Sequence, residues 1–207
     1  MLSFFKSSKK QSPKKGQSFY HRENLIQTID ELNYVLSHLD SPKNTKSKLN
    51  LLFQNKELDT IKVKSLADDF GDESFLLEPS SGIPGHKVYF YRISSEHLRF
   101  LIQIQFIEDQ FFFASTKVYS ESLLSDKDKQ NVIKRIIDKY CPGADENTIN
   151  FSIEDPKGNI LFTHEDIYYY IKYIANNEVS KKLKKQFFGY VKPTSGDEIK
   201  DTLDNLI

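Results

Sequence analysis

Three consecutive apolar runs, at residues 87–93, 97–107 and 110–119, constrain this chain more than any other feature. They are dense in Phe, Ile, Tyr and Val, which suit a pleated, half-buried surface. Only Glu108-Asp109 separates the last two, so those strands must pair antiparallel. A two-residue turn sets Ile107 opposite Gln110 and Phe106 opposite Phe111. An unbroken register then pairs Ile104 with Phe113, Ile102 with Ser115 and Leu98 with Tyr119. Leu98, Phe100, Ile102, Ile104, Phe106, Phe111 and Phe113 thereby share a core face. A three-residue turn would scatter them over both faces.

The opposite face then carries Arg99, Leu101, Gln103, Gln105, Phe112, Ala114, Thr116 and Val118. For the first strand, a register that sets Arg92 against Arg99 is disfavoured by like-charge repulsion. The alternative sends Val88 and Phe90 to the core, Tyr91 beside Arg99 and Tyr89 beside Leu101. The outer face of Tyr89, Tyr91, Arg99, Leu101, Gln103 and Phe112 is too apolar for ordinary solvated surface. It reads as a partner-binding face, unless residues 43–85 or a C-terminal helix cover it.

The rest of the chain is organised around this sheet. Residues 1–22 carry Lys6, Lys9, Lys10, Lys14, Lys15 and Arg22 without an acid, and read as a disordered basic arm. A helix is predicted over 23–39 from the stripe Leu25, Ile29, Leu32, Leu36, Leu39. Residues 43–85 are irregular, with a short helix near Leu49–Phe53 and short strands at Ile61–Val63 and Phe75–Leu77. Ser125 begins a helix over 126–140, which Cys141-Pro142-Gly143 stops. Ile149, Phe151 and Ile153 alternate, Asp155-Pro156-Lys157-Gly158 turns, and Ile160 and Phe162 return as a hairpin. Thr163 caps a predicted helix carrying Ile167, Tyr170, Ile171 and Ile174. A basic helix over 178–188 and a last helix over 197–206 follow. The last has an apolar stripe, Ile199, Leu203 and Leu206, able to dock on a partner.

The expected fold class is therefore α+β: an antiparallel sheet of about five or more strands with helices packed on one face. The order is α-(irregular)-β-β-β-α-β-β-α-α. The domain reading is a basic arm at 1–22, an α+β domain at 23–177 and a helical extension at 178–207.

Chemistry is sparse. Lys plus Arg and Asp plus Glu both number 29, which argues against a general nucleic-acid binder. One cysteine, Cys141, excludes an intramolecular disulfide and fits a reducing compartment. It follows a helix C-terminus, where the negative dipole end opposes an activated thiolate. No two histidines stand at helical i, i+4 spacing, and His86 and His97 flank one hairpin at opposite ends, on the order of 20 Å apart. Asp68-Asp69-Phe70-Gly71-Asp72-Glu73 lacks the alternation of a calcium loop. Gly-x-Ser-x-Gly and Walker patterns are absent from the sequence, and Ser-x-x-Lys spacing occurs only within the basic arm (Ser3 to Lys6, Ser7 to Lys10, Ser12 to Lys15), so no catalytic, metal or cofactor residues are assigned. No stretch reaches bilayer-spanning length and the N-terminus lacks an apolar signal core, so the expected location is cytoplasmic. The basic arm and Lys181, Lys182, Lys184 and Lys185 offer at most weak contact with phosphates or a membrane surface.

Helix, irregular stretch, three antiparallel strands, helix and hairpin together resemble the type III secretion chaperone-like fold, which includes the YbjN-type bacterial proteins. The resemblance rests on Leu98-Arg99-Phe100-Leu101-Ile102-Gln103-Ile104, Phe111-Phe112-Phe113, the helix Val132 to Tyr140 and the strands at Ile149–Ile153 and Asn159–Phe162. It implies a small non-enzymatic protein, chaperone- or adaptor-like, that binds other polypeptides, often as a homodimer. Two alternatives remain open. One is an immunity-type inhibitor of a toxin. The other is an enzyme assembled from scattered residues such as His164, Glu165 and Asp166.

Overall fold

In a computed structural model of the protein, residues 15–188 are described apart from 42, 80–82, 96, 122 and 145–147. The three apolar runs become β5 (His86–Ser95), β6 (Leu98–Ile107) and β7 (Gln110–Ser120), inside an eight-stranded sheet. β4 (Phe75–Leu77) flanks β5 at one edge. Beyond β7 come β10 (Tyr169–Ile174), β9 (Ile160–Glu165), β8 (Ser152–Glu154) and β1 (Thr45–Lys46). β1 and β8 run parallel while the other neighbours are antiparallel, so the sheet is mixed and not antiparallel throughout. A hairpin of β2 (Leu52–Phe53) and β3 (Lys56–Glu57) stands apart from it. The helices are α1 (Gln17–Glu23), α2 (Ile29–Ser37), α3 (Leu66–Phe70), α4 (Asp126–Tyr140) and α5 (Glu178–Phe188).

The turn at Glu108-Asp109 has two residues, as the spacing predicts. Both adopt left-handed φ, 50° and 60°, the geometry whose twist suits a tight hairpin. The register then breaks. Phe106 faces Phe111 but Gln105 faces Phe113, leaving Phe112 as an extra, bulged residue. The bulge reverses parity along the remainder of β7. Ala114, Thr116 and Val118 oppose Ile104, Ile102 and Phe100 on the core face, and Phe113 moves to the other face beside Phe112. In β5, Ser95 pairs with Leu98, so Tyr91 faces Ile102 and Tyr89 faces Ile104. Both tyrosines therefore lie on the core face, and Val88 and Phe90 lie opposite. Arg99 faces Ser94, which avoids the arginine pair by a register not among those anticipated.

Helices cover both faces of the sheet, not one. Val132, Ile133, Ile136, Ile137 and Tyr140 of α4 pack with Ile102, Ile104 and Phe106, joined by Leu66 and Phe70 of α3. On the opposite face, Tyr20 of α1 meets Phe90 and Leu101. Leu32 and Leu36 of α2 and Val179 and Leu183 of α5 meet Phe112, Phe113, Phe162 and Ile174. Residues 17–22, expected in a disordered arm, thus form most of α1, with Tyr20 fully buried and stacked on Phe75 at 4.7 Å. The single helix expected over 23–39 is broken after Glu23, and Thr28 restarts it through a capping box with Glu31. Residues 178–188, expected to extend beyond the domain, are docked on it as α5.

Two local expectations of helix fail. Residues 169–174 form β10 instead of a helix, between β7 and β9. A central strand covered on both faces has no simple alternation, and its Tyr170, Ile171 and Ile174 then mimic helical spacing. Leu52–Phe53, expected within a short helix, is instead a strand of a two-stranded hairpin, reversed by Gln54 and Asn55 at φ 51° and 65°. Val63 opens a single 3-10 turn where a strand was expected. Phe75–Leu77, α4 and the β8–β9 hairpin agree with the sequence reading.

Candidate functional site

A cavity of about 100 Å³ lies between α4, the β2–β3 hairpin and the sheet. Val132, Ile136 and Tyr140 of α4 form one wall, Phe100, Thr116, Val118, Ile171 and Tyr173 the floor, and Leu52 to Asn55 the hairpin side. Arg135 and Lys139, one helical turn apart, also line it. The hairpin is held in place from three directions. The Tyr140 hydroxyl accepts from the Leu52 amide at 3.1 Å, and the buried Asp155 carboxylate accepts from the Leu51 amide at 3.0 Å. Lys157 bridges Glu57 at 2.6 Å and Asp59 at 2.8 Å. The Tyr173 ring meets Phe53 edge-on at 5.3 Å, and burial pushes its hydroxyl ionisation well above the ordinary tyrosine range. That hydroxyl therefore stays protonated at neutral pH. A cavity with these walls accommodates an apolar group and, beside Arg135 and Lys139, a negative or acceptor end. An engineered cavity of 150 Å³ takes up benzene, so this volume is on the scale of one side chain.

The predicted partner-binding face is not a free surface. Leu101, Gln103 and Phe112 are each no more than 1% exposed, and Arg99, half-buried, donates to Glu121 at 2.8 Å. Tyr91 is buried and Tyr89 half-buried on the opposite, α4 face. The cover on Leu101, Gln103 and Phe112 comes from the chain itself, through α1, α2, α5 and the segment joining the first two. Of the two covers anticipated, a C-terminal helix is present as α5, and residues 43–85 contribute Leu77 and Ile83 to the same clusters. Ile199, Leu203 and Leu206 lie outside the described residues.

Under that cover runs a ladder of buried polar groups that sequence parity left unexplained. His86 Nε2 donates to Gln105 at 2.8 Å, and burial pulls its pKa below the ordinary histidine value. Gln105 in turn donates to Asn24 Oδ1 at 3.3 Å and Gln103 Oε1 at 3.4 Å. Gln103 receives the Leu25 amide at 3.3 Å and donates to the Glu23 carbonyl. Glu23 also pairs with Lys117 at 2.9 Å. The glutamines at alternate positions of β6 were the visible signal: two amides on one apolar strand face need buried partners.

His164, Glu165 and Asp166 do not converge. His164 borders Tyr170 on the α2 face, Glu165 pairs with Lys129 of α4 at 2.5 Å, and Asp166 is exposed in the β9–β10 turn. Cys141 is buried at the end of α4, and burial raises its thiol pKa. Three of the basic residues of α5 are in ion pairs, Lys181 with Glu178, Lys182 with Glu108 and Lys184 with Asp40. Among the described residues, no group of three or more His, Cys, Asp or Glu could hold a metal ion, and no helix is long and apolar enough to cross a membrane. In comparisons with known proteins, no family model, curated protein or solved structure matches the chain.

Proposed function

We propose that the protein is a non-catalytic binding module for another polypeptide, chaperone- or adaptor-like, and that the cavity beside α4 receives one anchoring side chain. The observation that carries this reading is the pairing of a side-chain-sized apolar cavity with Arg135 and Lys139 beside it. An aliphatic or aromatic residue next to a carboxylate fits both parts. Buried anchors of this kind supply most of the affinity at protein interfaces. The sequence resemblance to secretion chaperones points the same way, as does the absence of a catalytic motif.

Selection of a random peptide library against the purified protein tests it. The expected binders carry an apolar residue flanked by Asp or Glu, and lose affinity for an Arg135→Glu, Lys139→Glu variant that remains folded. Amide shifts on binding should concentrate in α4 and the β2–β3 hairpin. Binders that ignore the charge reversal and shift other residues would remove the cavity from the interface. A failure to select any peptide, with small organic anions binding there instead, would replace the polypeptide with a small ligand.

A further inference from the structure

On the face opposite the cavity, one row of side chains crosses the sheet where Phe162, Lys172 and Ser115 are successive cross-strand partners. In the adjacent row Tyr170 faces Lys117, which places the two lysines diagonally across β10 and β7. Both are deeply buried, each only 7% exposed, and Ser115 is 1% exposed. Their partners are unequal. Lys117 is paired with both oxygens of Glu23, at 2.9 and 3.0 Å, and lies over the Tyr168 ring at 3.7 Å. Lys172 has no ion pair among the described residues, and sits 5.3 Å from the rings of Phe162 and Tyr170. The Ser115 hydroxyl is buried without a hydrogen-bond partner.

A buried ammonium without an anion among the described residues and a buried hydroxyl without a partner are each costly, and here the two residues are direct cross-strand partners. Side chains directly opposite on antiparallel strands stand about 5 Å apart at Cβ, a spacing that one bound oxyanion spans. We propose that Lys172 and Ser115 form a binding site for a small oxyanion of the phosphate or carboxylate class. Lys172 supplies the charge and Ser115 a hydrogen bond. Lys117 stands at the diagonal position, already neutralised by Glu23, so Lys172 carries the positive charge left for the anion. His38, stacked on Phe162 at 3.9 Å, and His164, beside Tyr170, border it without adding a carboxylate. Asp166 acts on Lys172 only at longer range, and burial holds the lysine pKa below its ordinary value, a shift that a bound anion would reverse. This site is on the other side of the sheet from the cavity, and stands or falls independently of the polypeptide-binding reading.

The test uses inorganic phosphate as the probe, on the full chain at pH 7.5 and constant ionic strength set with sodium chloride. Thermal melting and phosphorus NMR follow binding. Phosphate is expected to raise the melting temperature of the wild type beyond the chloride control. Lys172→Met should weaken phosphate binding at least about tenfold, because a charge-assisted hydrogen bond is lost. The same variant should be no less stable than the wild type without phosphate, since it removes an uncompensated buried charge. Ser115→Ala provides a second measurement should Lys172→Met fail to fold, and should weaken phosphate binding in the same direction. Equal melting in phosphate and chloride, or undiminished phosphate binding by these variants, would overturn the site. Lys172 would then be a lysine whose stem is buried and whose head reaches water.

Discussion

The two faces of the sheet are both sealed, but by different means. On the α4 face, a regular amphipathic helix and an apolar meander pack hydrocarbon on hydrocarbon, and the imperfect closure leaves a cavity. On the α2 face, an irregular N-terminal segment is held down by Gln103, Gln105, Asn24 and Lys117 as much as by apolar contact. Apolar packing is tolerant of shape and so can leave a recess. Buried amides and charges must be matched one by one, so the segment over them has one position.

The sharpest way to break this contrast is the pair Leu101→Asp, Phe112→Asp. Two carboxylates buried on the α2 face should unfold the protein, at a cost above about 5 kcal/mol. A folded double mutant by circular dichroism would mean that the face is open after all. Tyr20→Ala should cost about 3 kcal/mol, because the ring is fully buried against Phe75 and Phe90. Deleting residues 1–22 should be at least as damaging, whereas a disordered arm would leave urea unfolding unchanged.

Two of its histidines make the α2 face the pH-sensitive one. Burial lowers the pKa of both His86 and His38 from the ordinary 6.5. Below that value the unfolded chain binds more protons than the folded one, so their contribution is intact above it and is lost as pH falls toward the folded-state values. Urea midpoints should therefore drop between pH 7 and pH 5. Gln105→Ala, which removes the buried acceptor of His86 Nε2, should cost about 2 kcal/mol at pH 7. On the α4 face the smallest effect is expected from Tyr140→Phe, about 1 kcal/mol, through loss of the hydrogen bonds to Leu52. Amide exchange should quicken in the β2–β3 hairpin and stay unchanged in α1. Faster exchange in α1 as well would show that the two faces are coupled through the sheet.

Sequence alone determined what short-range physics fixes. Ser125 and the stripe Val132 to Tyr140 define α4 with its observed ends, and Glu108-Asp109 defines a two-residue turn. These depend on capping, periodicity and turn chemistry within a few residues. Only the tertiary structure decided the parity of β7, because the bulge at Phe112 costs one unpaired residue and is favoured by packing that pattern does not encode. It also decided β10, whose strand state comes from its place between β7 and β9, where cover on both faces removes alternation. The cavity and the Lys172–Ser115 pair belong to the same class. Each brings together residues tens of positions apart, on a register set by one bulge and by neighbouring strands that local sequence does not reveal.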